Sequence, residues 1–325
     1  MSEAPPPPTF SRKDHLYLRL LRLLARIPIT WLQTLGRYLG VFASLSGSTP
    51  AFVARRNIEL CFPDRDAAWV AATTRQCLQK MAMSYLEFAK IWGSPPSYAV
   101  AQIRRVHGEE IFRRAISGHS GTIALLPHFG CWEVMNAWTN QYVHTTIMYK
   151  PAKDAGVDSF VRAARSRLDA HLVATDDSGV RALLKALKKN GFVAILPDHV
   201  PDPQGGEYAD FFAIDTLSTV LASKLWQRTR AAVIVMYAVR NAAGQGFDLH
   251  FEEPAADFFS DDLVTSVSGM NQSVEHLIRS SPADYHWAYK RFKTCRGLDR
   301  VYDRRHPPLF AAQHPAARRY QHDDA

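Results

Sequence analysis

The segment Leu125-Leu126-Pro127-His128-Phe129-Gly130-Cys131-Trp132-Glu133 lies between two apolar stretches of different periodicity. Residues 121–126 form a short apolar run, which is typical of a buried strand. Residues 132–138 carry apolar side chains at helical spacing and predict a helix. The proline and the glycine between them place His128 and Glu133 in a strand-to-helix turn. In α/β folds, ligands usually bind at the sheet edge where such turns lie.

A histidine and a carboxylate in one turn suggest acid–base chemistry. Imidazole titrates near neutrality and can take a proton from a hydroxyl, and a nearby carboxylate fixes its tautomer. Residues five apart do not share a helix face, so His128 and Glu133 need the turn between them in order to meet. The local residues alone equally allow a buried histidine beside an exposed glutamate at a helix start.

Motifs in four parts of the chain resemble those of the lipid A late acyltransferases, a branch of the H-x4-D/E glycerolipid acyltransferase superfamily. The resemblance runs from about residue 15 to about residue 300, and one position departs from it, since Cys295 stands where the family usually has arginine. The matching segments are Arg55-Arg56-Asn57-Ile58-Glu59-Leu60-Cys61-Phe62-Pro63, His128 to Glu133, Pro197-Asp198-His199 with Phe211-Phe212, and Tyr285 to Cys295.

The resemblance implies an α/β fold with a central mixed, mostly parallel sheet flanked by helices, glycerol-3-phosphate-acyltransferase-like, with N-terminal membrane-associated helices. It implies an O-acyltransferase that moves a fatty acyl chain from acyl-carrier protein to a hydroxyl of a lipid A precursor. His128 would then be the general base, and Glu133 would orient it. Alternatives are another acceptor lipid, such as a lysophospholipid or lipo-amino acid, and a non-catalytic membrane-associated homologue. A serine- or cysteine-type hydrolase is disfavoured because the chain lacks a G-x-S-x-G segment.

Further polar residues are candidates for binding substrate or stabilising an oxyanion. Arg165 and Arg167 match an R-x-R of the family, although a solvated basic helix face is the ordinary reading of such a run. Asp198 and His199 follow a predicted strand at 192–196. No third ligand accompanies them at a convincing spacing, so we expect no metal and no cofactor. Lys290 and Arg291 lie in the last motif, whose mixture of aromatic and basic residues is typical of an interfacial or phosphate-contacting segment.

Composition narrows the class of partner. The 325 residues carry a formal net charge of +8, which favours an anionic partner such as a membrane surface or a phosphorylated substrate. No zinc finger, RRM or P-loop pattern is present, so we expect no nucleic-acid partner. The four cysteines are scattered without metal-type spacing, which is typical of free thiols in a reducing compartment.

The sequence predicts four regions. Residues 1–13 form a proline-rich, disordered leader, and residues 306–325 form a polar tail. Residues 14–53 form two basic amphipathic helices that break near Pro28 and lie at the membrane interface, although docking on the protein's own core is an alternative. Residues 54–305 form the acyltransferase domain. The expected location is the cytoplasmic face of the bacterial inner membrane, as a monotopic protein or with one N-terminal membrane helix.

Local patterns predict several elements of this domain. A long helix follows Cys61-Phe62-Pro63, with Asp64 and Asp66 as candidate caps. A helix spans 216–228, and a strand at 232–239 pairs antiparallel with 247–251. Phe211 and Phe212 are predicted in a loop, where they line an acyl-chain groove or pack in the core.

Overall fold

The computed structural model describes residues 10–242 and 244–306, together with the backbone of 309–310. Most of the predicted leader and tail therefore lies outside the described residues. The first helix begins at Arg12, where the Ser11 side chain accepts a hydrogen bond from the Asp14 backbone N–H and the Asp14 carboxylate accepts one from the Ser11 backbone N–H. This reciprocal capping box satisfies amide groups that have no partner within the helix.

The described chain alternates helices and strands in the order expected for an α/β fold. The helices are α1 Arg12–Leu24, α2 Ile29–Leu45, α3 Thr49–Cys61, α4 Ala67–Gly93, α5 Pro96–Ala101, α6 Glu109–Ser117, α7 Glu133–Thr139, α8 Ala155–Ser166, α9 Asp177–Lys188, α10 Leu221–Thr229 and α11 Leu263–Ser280. The strands are β1 Ile103–His107, β2 Thr122–Leu125, β3 Thr145–Met148, β4 His171–Val173, β5 Phe192–Ile195, β6 Gly206–Phe211, β7 Ile214–Thr219, β8 Ala232–Arg240, β9 Phe247–Glu252, β10 Leu298–Asp299 and β11 Leu309–Phe310.

Seven of these strands form one sheet in the order β1-β9-β8-β2-β5-β3-β4. Only the β8–β9 pair in this sheet is antiparallel; the other neighbouring strands run parallel. The predicted mixed, mostly parallel sheet and the antiparallel pairing of 232–239 with 247–251 are both confirmed.

Helices cover both faces of the sheet. Ile123 and Leu125 of β2 pack into one hydrophobic core, while Ala124 and Leu126 pack into a second core on the opposite face. Successive side chains of a strand point to opposite faces, so a strand buried on both sides reads as a continuous apolar run. This explains why residues 121–126 lack alternation.

The predicted helix at 216–228 is wrong in its first part. Residues 214–219 form β7, which pairs antiparallel with β6 in a hairpin, and a helix starts only at Leu221. Phe211 and Phe212, beside the hairpin turn, are 1% and 6% exposed. Phe212 packs with Phe62 and Trp287, and Phe211 packs with Phe292, so of the two readings the structure bears out core packing.

The two N-terminal helices show one face to the protein and an apolar face to solvent. Leu18 and Leu32 are buried, whereas a row of large apolar side chains on the other side is exposed. The exposed set is Leu16, Leu20, Leu23, Trp31, Leu35, Tyr38, Leu39, Phe42 and Leu45. Among the described helices, none is both long enough and apolar enough to cross a bilayer.

Candidate active site

The register of two neighbouring strands brings His128 and Asp198 together. Leu125 of β2 pairs with Ile195 of β5 in parallel register, and the two polar residues each lie three positions beyond their strand's last residue. Parallel strands end at the same sheet edge, so equal offsets place the two side chains side by side. The distance between His128 Nδ1 and Asp198 Oδ1 is 2.9 Å.

Both oxygens of the Asp198 carboxylate contact His128. The second oxygen accepts the backbone N–H of His128 at 2.9 Å. Burial alone lowers the pKa of His128, but the charge and hydrogen bond of Asp198 outweigh it and hold this pKa above 6.5. Burial raises the pKa of Asp198, yet its contacts with His128 lower it to about 2, so the carboxylate is ionised. An ionised carboxylate only accepts hydrogen bonds, which assigns the proton to Nδ1 and leaves Nε2 free as a base.

His128 remains open to solvent although its partner is buried. Its side chain is 37% exposed, whereas that of Asp198 is 2% exposed. The Trp132 ring lies 5.1 Å from the imidazole, centroid to centroid, in an edge-on arrangement. A substrate hydroxyl can therefore approach the imidazole while the orienting carboxylate stays dry and its Coulombic effect on the ring stays strong.

Glu133 does not take the place expected for it. Its carboxylate contacts Arg165, with 3.2 Å between Glu133 Oε1 and Arg165 Nη2, and it accepts a longer 3.4 Å hydrogen bond from Asn136. No hydrogen bond found among the described residues joins Glu133 to His128. The carboxylate in contact with the imidazole is that of Asp198, because β5 lies directly beside β2. The Glu133 side chain on α7 instead contacts Arg165 on α8.

The two arginines of the R-x-R segment make different contacts. Arg165 is 14% exposed and its guanidinium carbon lies 4.9 Å from the centroid of the Tyr149 ring. Arg167 is more exposed and donates to the carbonyl groups of Trp92 and Ser94, at the C-terminal end of α4. Arg165 therefore forms an ion pair with Glu133, while Arg167 binds carbonyl groups at the C-terminal end of α4. Both line a small cleft together with Glu133 and the apolar residues Ile91, Trp92, Pro96, Ala99, Ala137, Ala164 and Leu168.

Three further predicted site residues have distinct environments. His199 is half-buried, with its Nδ1 3.0 Å from the carbonyl oxygen of Leu196, and burial lowers its pKa below the usual value. Lys290 is exposed over the Tyr302 ring. Arg291 is 1% exposed and donates to the Leu217 carbonyl at 2.9 Å.

The predicted phosphate contact of Arg291 is corrected by this placement. A guanidinium that is buried against the β6–β7 hairpin, and that also donates to the Ser218 hydroxyl at 2.7 Å, has no access to a bound phosphate. It supplies the hydrogen bonds that buried backbone and hydroxyl groups require.

The first and last sequence motifs meet behind the site. The Asn57 side chain donates to the carbonyl oxygens of Trp287 and Tyr289, at 2.7 and 2.8 Å. The residue before Trp287 lies beside the turn that carries His128, where the His286 backbone N–H donates to the His128 carbonyl oxygen at 3.0 Å. These motifs therefore act as scaffold for the turn that carries His128.

Cys131 is the thiol nearest to His128 in sequence. It is fully buried, and burial raises its pKa well above the usual value for a thiol. A thiol that stays protonated in an apolar core is a poor nucleophile. Among the described residues, no group of three His, Cys, Asp or Glu side chains is placed to hold a metal ion.

Comparison with known proteins places the chain in a family. Residues 10–294 match the family model described as bacterial lipid A biosynthesis acyltransferase. The chain belongs to this family. It is therefore an O-acyltransferase, in line with the resemblance of its motifs.

Several relatives from Escherichia coli (strain K12) cover most of the chain. The lipid A biosynthesis lauroyltransferase is 26% identical over 86% of this chain and 90% of its own length. The palmitoleoyltransferase is 26% identical over 85% of this chain and 90% of its own length. The myristoyltransferase is 23% identical over 79% of each chain. The three relatives are named for different acyl groups, and each aligns with most of this chain.

Proposed function

We propose that this acyltransferase moves a fatty acyl chain from the thioester of acyl-carrier protein onto a hydroxyl of a lipid A precursor. The observation that supports this most is the His128–Asp198 pair, at the shared edge of two parallel strands, in a chain of this family. In this scheme His128 is the general base and Asp198 is the residue that orients it.

The proposed reaction needs no covalent enzyme intermediate. His128 Nε2 takes the proton of the acceptor hydroxyl as that oxygen attacks the thioester carbonyl carbon. When the carbon–sulfur bond breaks, the imidazolium returns the proton to the departing thiolate. Between these steps the Asp198 carboxylate stabilises the imidazolium, because an opposite charge at hydrogen-bond distance in a buried position favours the charged form.

Glu133 and Arg165 have a separate role in this proposal. The Glu133 carboxylate is 5% exposed and holds the Arg165 guanidinium in one orientation. A fixed guanidinium suits a phosphate of the acceptor, to which it can donate two parallel hydrogen bonds. The competing role is stabilisation of the oxyanion that forms at the attacked thioester.

The Arg165→Lys variant separates these two roles. Lysine keeps the charge but cannot form the two-pronged contact, so we expect turnover to fall by about tenfold or more. The loss should be greater with a phosphorylated acceptor than with its dephosphorylated analogue, measured as kcat/KM for each. Equal losses with both acceptors would favour the oxyanion role instead. Arg162→Lys, at an exposed position of the same helix, is the matched control and should change neither value.

The acceptor assignment is tested with the wild-type enzyme. Acyl-carrier protein loaded with a labelled acyl chain is offered a lipid A precursor and a lysophospholipid in parallel, and the acylated products are quantified by mass spectrometry. We expect the lipid A precursor to be acylated with much the higher kcat/KM. Efficient acylation of lysophospholipid with none of the lipid A precursor would defeat the assignment.

We further propose that α1 and α2 bind the cytoplasmic face of the inner membrane. Their exposed apolar row lies beside the exposed basic residues Arg19, Arg22, Arg26 and Arg37. A helix with one apolar face and adjacent basic residues binds in the bilayer interface. Each basic residue near anionic lipid contributes about 1 kcal/mol to the free energy of membrane binding.

The double variant Trp31→Glu/Phe42→Glu tests this surface. Each ring is 72% exposed, so the changes should leave the fold intact while removing apolar contact and adding negative charge. Co-sedimentation with vesicles of phosphatidylethanolamine and phosphatidylglycerol should show membrane binding reduced by about tenfold or more, since burying each large apolar side chain contributes about 1.5–3 kcal/mol. Val264→Glu, an exposed apolar residue on α11, is the control and should bind like the wild type. Unchanged binding of the double variant would place the membrane surface elsewhere.

A further inference from the structure

A buried ion pair lies under the turn that carries His128. The Arg240 guanidinium contacts both carboxylate oxygens of Glu87, with Nε to Oε1 at 2.6 Å and Nη2 to Oε2 at 2.5 Å. The two side chains are 3% and 0% exposed. Gln33 of α2 donates a further hydrogen bond to Glu87 Oε1 at 2.8 Å.

A buried ion pair of this kind contributes little to the free energy of unfolding on its own. Removing two charges from water costs several kcal/mol for each, and apolar residues of similar volume often stabilise a core as well or better. Arg240 keeps its proton because the Glu87 charge and hydrogen bonds outweigh the effect of burial, which lowers the pKa of a guanidinium. A directional contact of this kind is better suited to fixing the position of its neighbours.

The neighbour that Arg240 fixes is Ser84, which contacts the catalytic turn. Arg240 Nη2 donates to the Ser84 hydroxyl oxygen at 2.8 Å. The Ser84 hydroxyl lies 3.1 Å from the carbonyl oxygen of Gly130, and also 3.1 Å from that of Lys80, one turn earlier on α4. Gly130 stands two residues after His128, so its carbonyl fixes the path of the chain directly after the imidazole.

Further contacts constrain the backbone of the turn at Gly130. Gly130 has φ +58°, and a Cβ at this position would lie 1.9 Å from the carbonyl oxygen of Ala238 on β8. Its N–H donates to the carbonyl oxygen of Asp284 at 2.8 Å. Both backbone groups of Gly130 are thus held, one by Asp284 and the other by Ser84, and the Ser84 contact depends on Arg240.

We propose that Glu87, Arg240 and Ser84 are positioning residues for His128. The ion pair holds the Ser84 hydroxyl, the hydroxyl holds the Gly130 carbonyl, and the turn then holds the imidazole against Asp198. This inference rests on the proposed role of His128 as the base. A displacement of about 1 Å in a reacting group can cost about a hundredfold in rate, so a network that touches no substrate can control turnover.

Two variants of graded severity test the network. Ser84→Ala removes the hydroxyl and leaves the ion pair, while Glu87→Gln keeps the shape and removes the charge that holds Arg240. We expect kcat to fall by about tenfold and about a hundredfold, respectively, with KM changed by less than about threefold. Arg113→Met is the matched control, because it breaks an exposed ion pair on α6 and should leave kcat unchanged.

The alternative is that the network only stabilises the fold. In that case the loss of kcat would follow the unfolded fraction, and it would vanish at temperatures well below each variant's own unfolding midpoint. Circular dichroism melts and kcat measured over the same temperatures separate the two cases. Full kcat per folded molecule in Glu87→Gln would overturn the proposal.

A second readout does not need a substrate. Diethyl pyrocarbonate modifies neutral imidazole, and peptide mapping by mass spectrometry gives the rate at His128 as a function of pH. Because Asp198 raises the pKa of His128, a displaced imidazole should have a lower pKa, and its modification profile in Glu87→Gln should move to lower pH. An unchanged profile would contradict the positioning role. An inactive wild-type enzyme with a shifted variant profile would instead defeat the proposed reaction and leave this inference standing.

Discussion

The His128→Ala variant is expected to lose turnover by about 10²–10⁴-fold, because a positioned general base contributes about that much to rate. Its fold should be unaffected, since the side chain is 37% exposed and the turn is held by backbone contacts. The measurement is kcat for transfer from acyl-carrier protein to the lipid A precursor, with folding followed by thermal melting. His276→Ala, at an exposed position on α11, is the control and should retain wild-type turnover.

A His128→Ala protein that keeps near wild-type turnover would remove the base from the account. A protein that loses turnover because it no longer folds would be recognised by its melting curve. The milder His128→Gln variant, which keeps side-chain bulk without a basic nitrogen, would then decide the question by the same measurement.

The second large effect separates the two carboxylates. Asp198→Asn should lower kcat/KM by about 10²–10⁴-fold, because an amide can hold the imidazole in the wrong tautomer and cannot stabilise the imidazolium. Glu133→Gln should also reduce activity, through loss of the contact that orients Arg165, but it should leave the ionisation of His128 unchanged. The pH dependence of kcat/KM distinguishes these two causes.

The direction of the pH effect follows from the environment of His128. A general base must be neutral, so kcat/KM rises with pH through the pKa of His128 in the free enzyme. Asp198 holds this pKa above 6.5 against the opposing effect of burial. In Asp198→Asn only the lowering effect of burial remains, so the acid limb of the profile should move to lower pH. Movement in Glu133→Gln instead would return the orienting role to Glu133.

The sequence predicts where the candidate site lies, but it does not predict which carboxylate contacts the His128 imidazole. His128 and Asp198 each follow an apolar run, which predicts that both lie at the open edge of a sheet. Which carboxylate meets the imidazole depends on the strand order, in which β5 lies next to β2. Glu133 is five residues from His128 in sequence and Asp198 is seventy, so local spacing alone does not indicate the contact with Asp198.

The hairpin β6–β7 shows a similar limit at the level of secondary structure. Residues 216–219 directly precede the helix that starts at Leu221. No glycine or proline separates the two segments, so the sequence predicts one continuous helix. Tertiary contacts decide the strand, because the hydroxyl of Ser218 and the carbonyl of Leu217 are held by the buried Arg291. The burial of Arg291 could not be predicted, since a basic residue in an aromatic segment is normally exposed.

The burial of Glu87 is not evident from local sequence. Glu87 stands directly before Phe88 on α4 and is fully buried, and a buried carboxylate requires a partner that is buried with it. The partner is Arg240, at the end of β8 and 153 residues away, so the pair itself becomes visible only in the folded chain.

The most direct test of the account is a site-resolved NMR titration of the His128 imidazole in the wild-type enzyme labelled with ¹⁵N-histidine. The His128→Ala variant assigns the resonances. We expect the neutral form to carry its proton on Nδ1, with a pKa above 6.5 that coincides with the acid limb of kcat/KM. A pKa below 6.5, a proton on Nε2, or an acid limb at a different pH would contradict the claim that Asp198 holds His128 as the base.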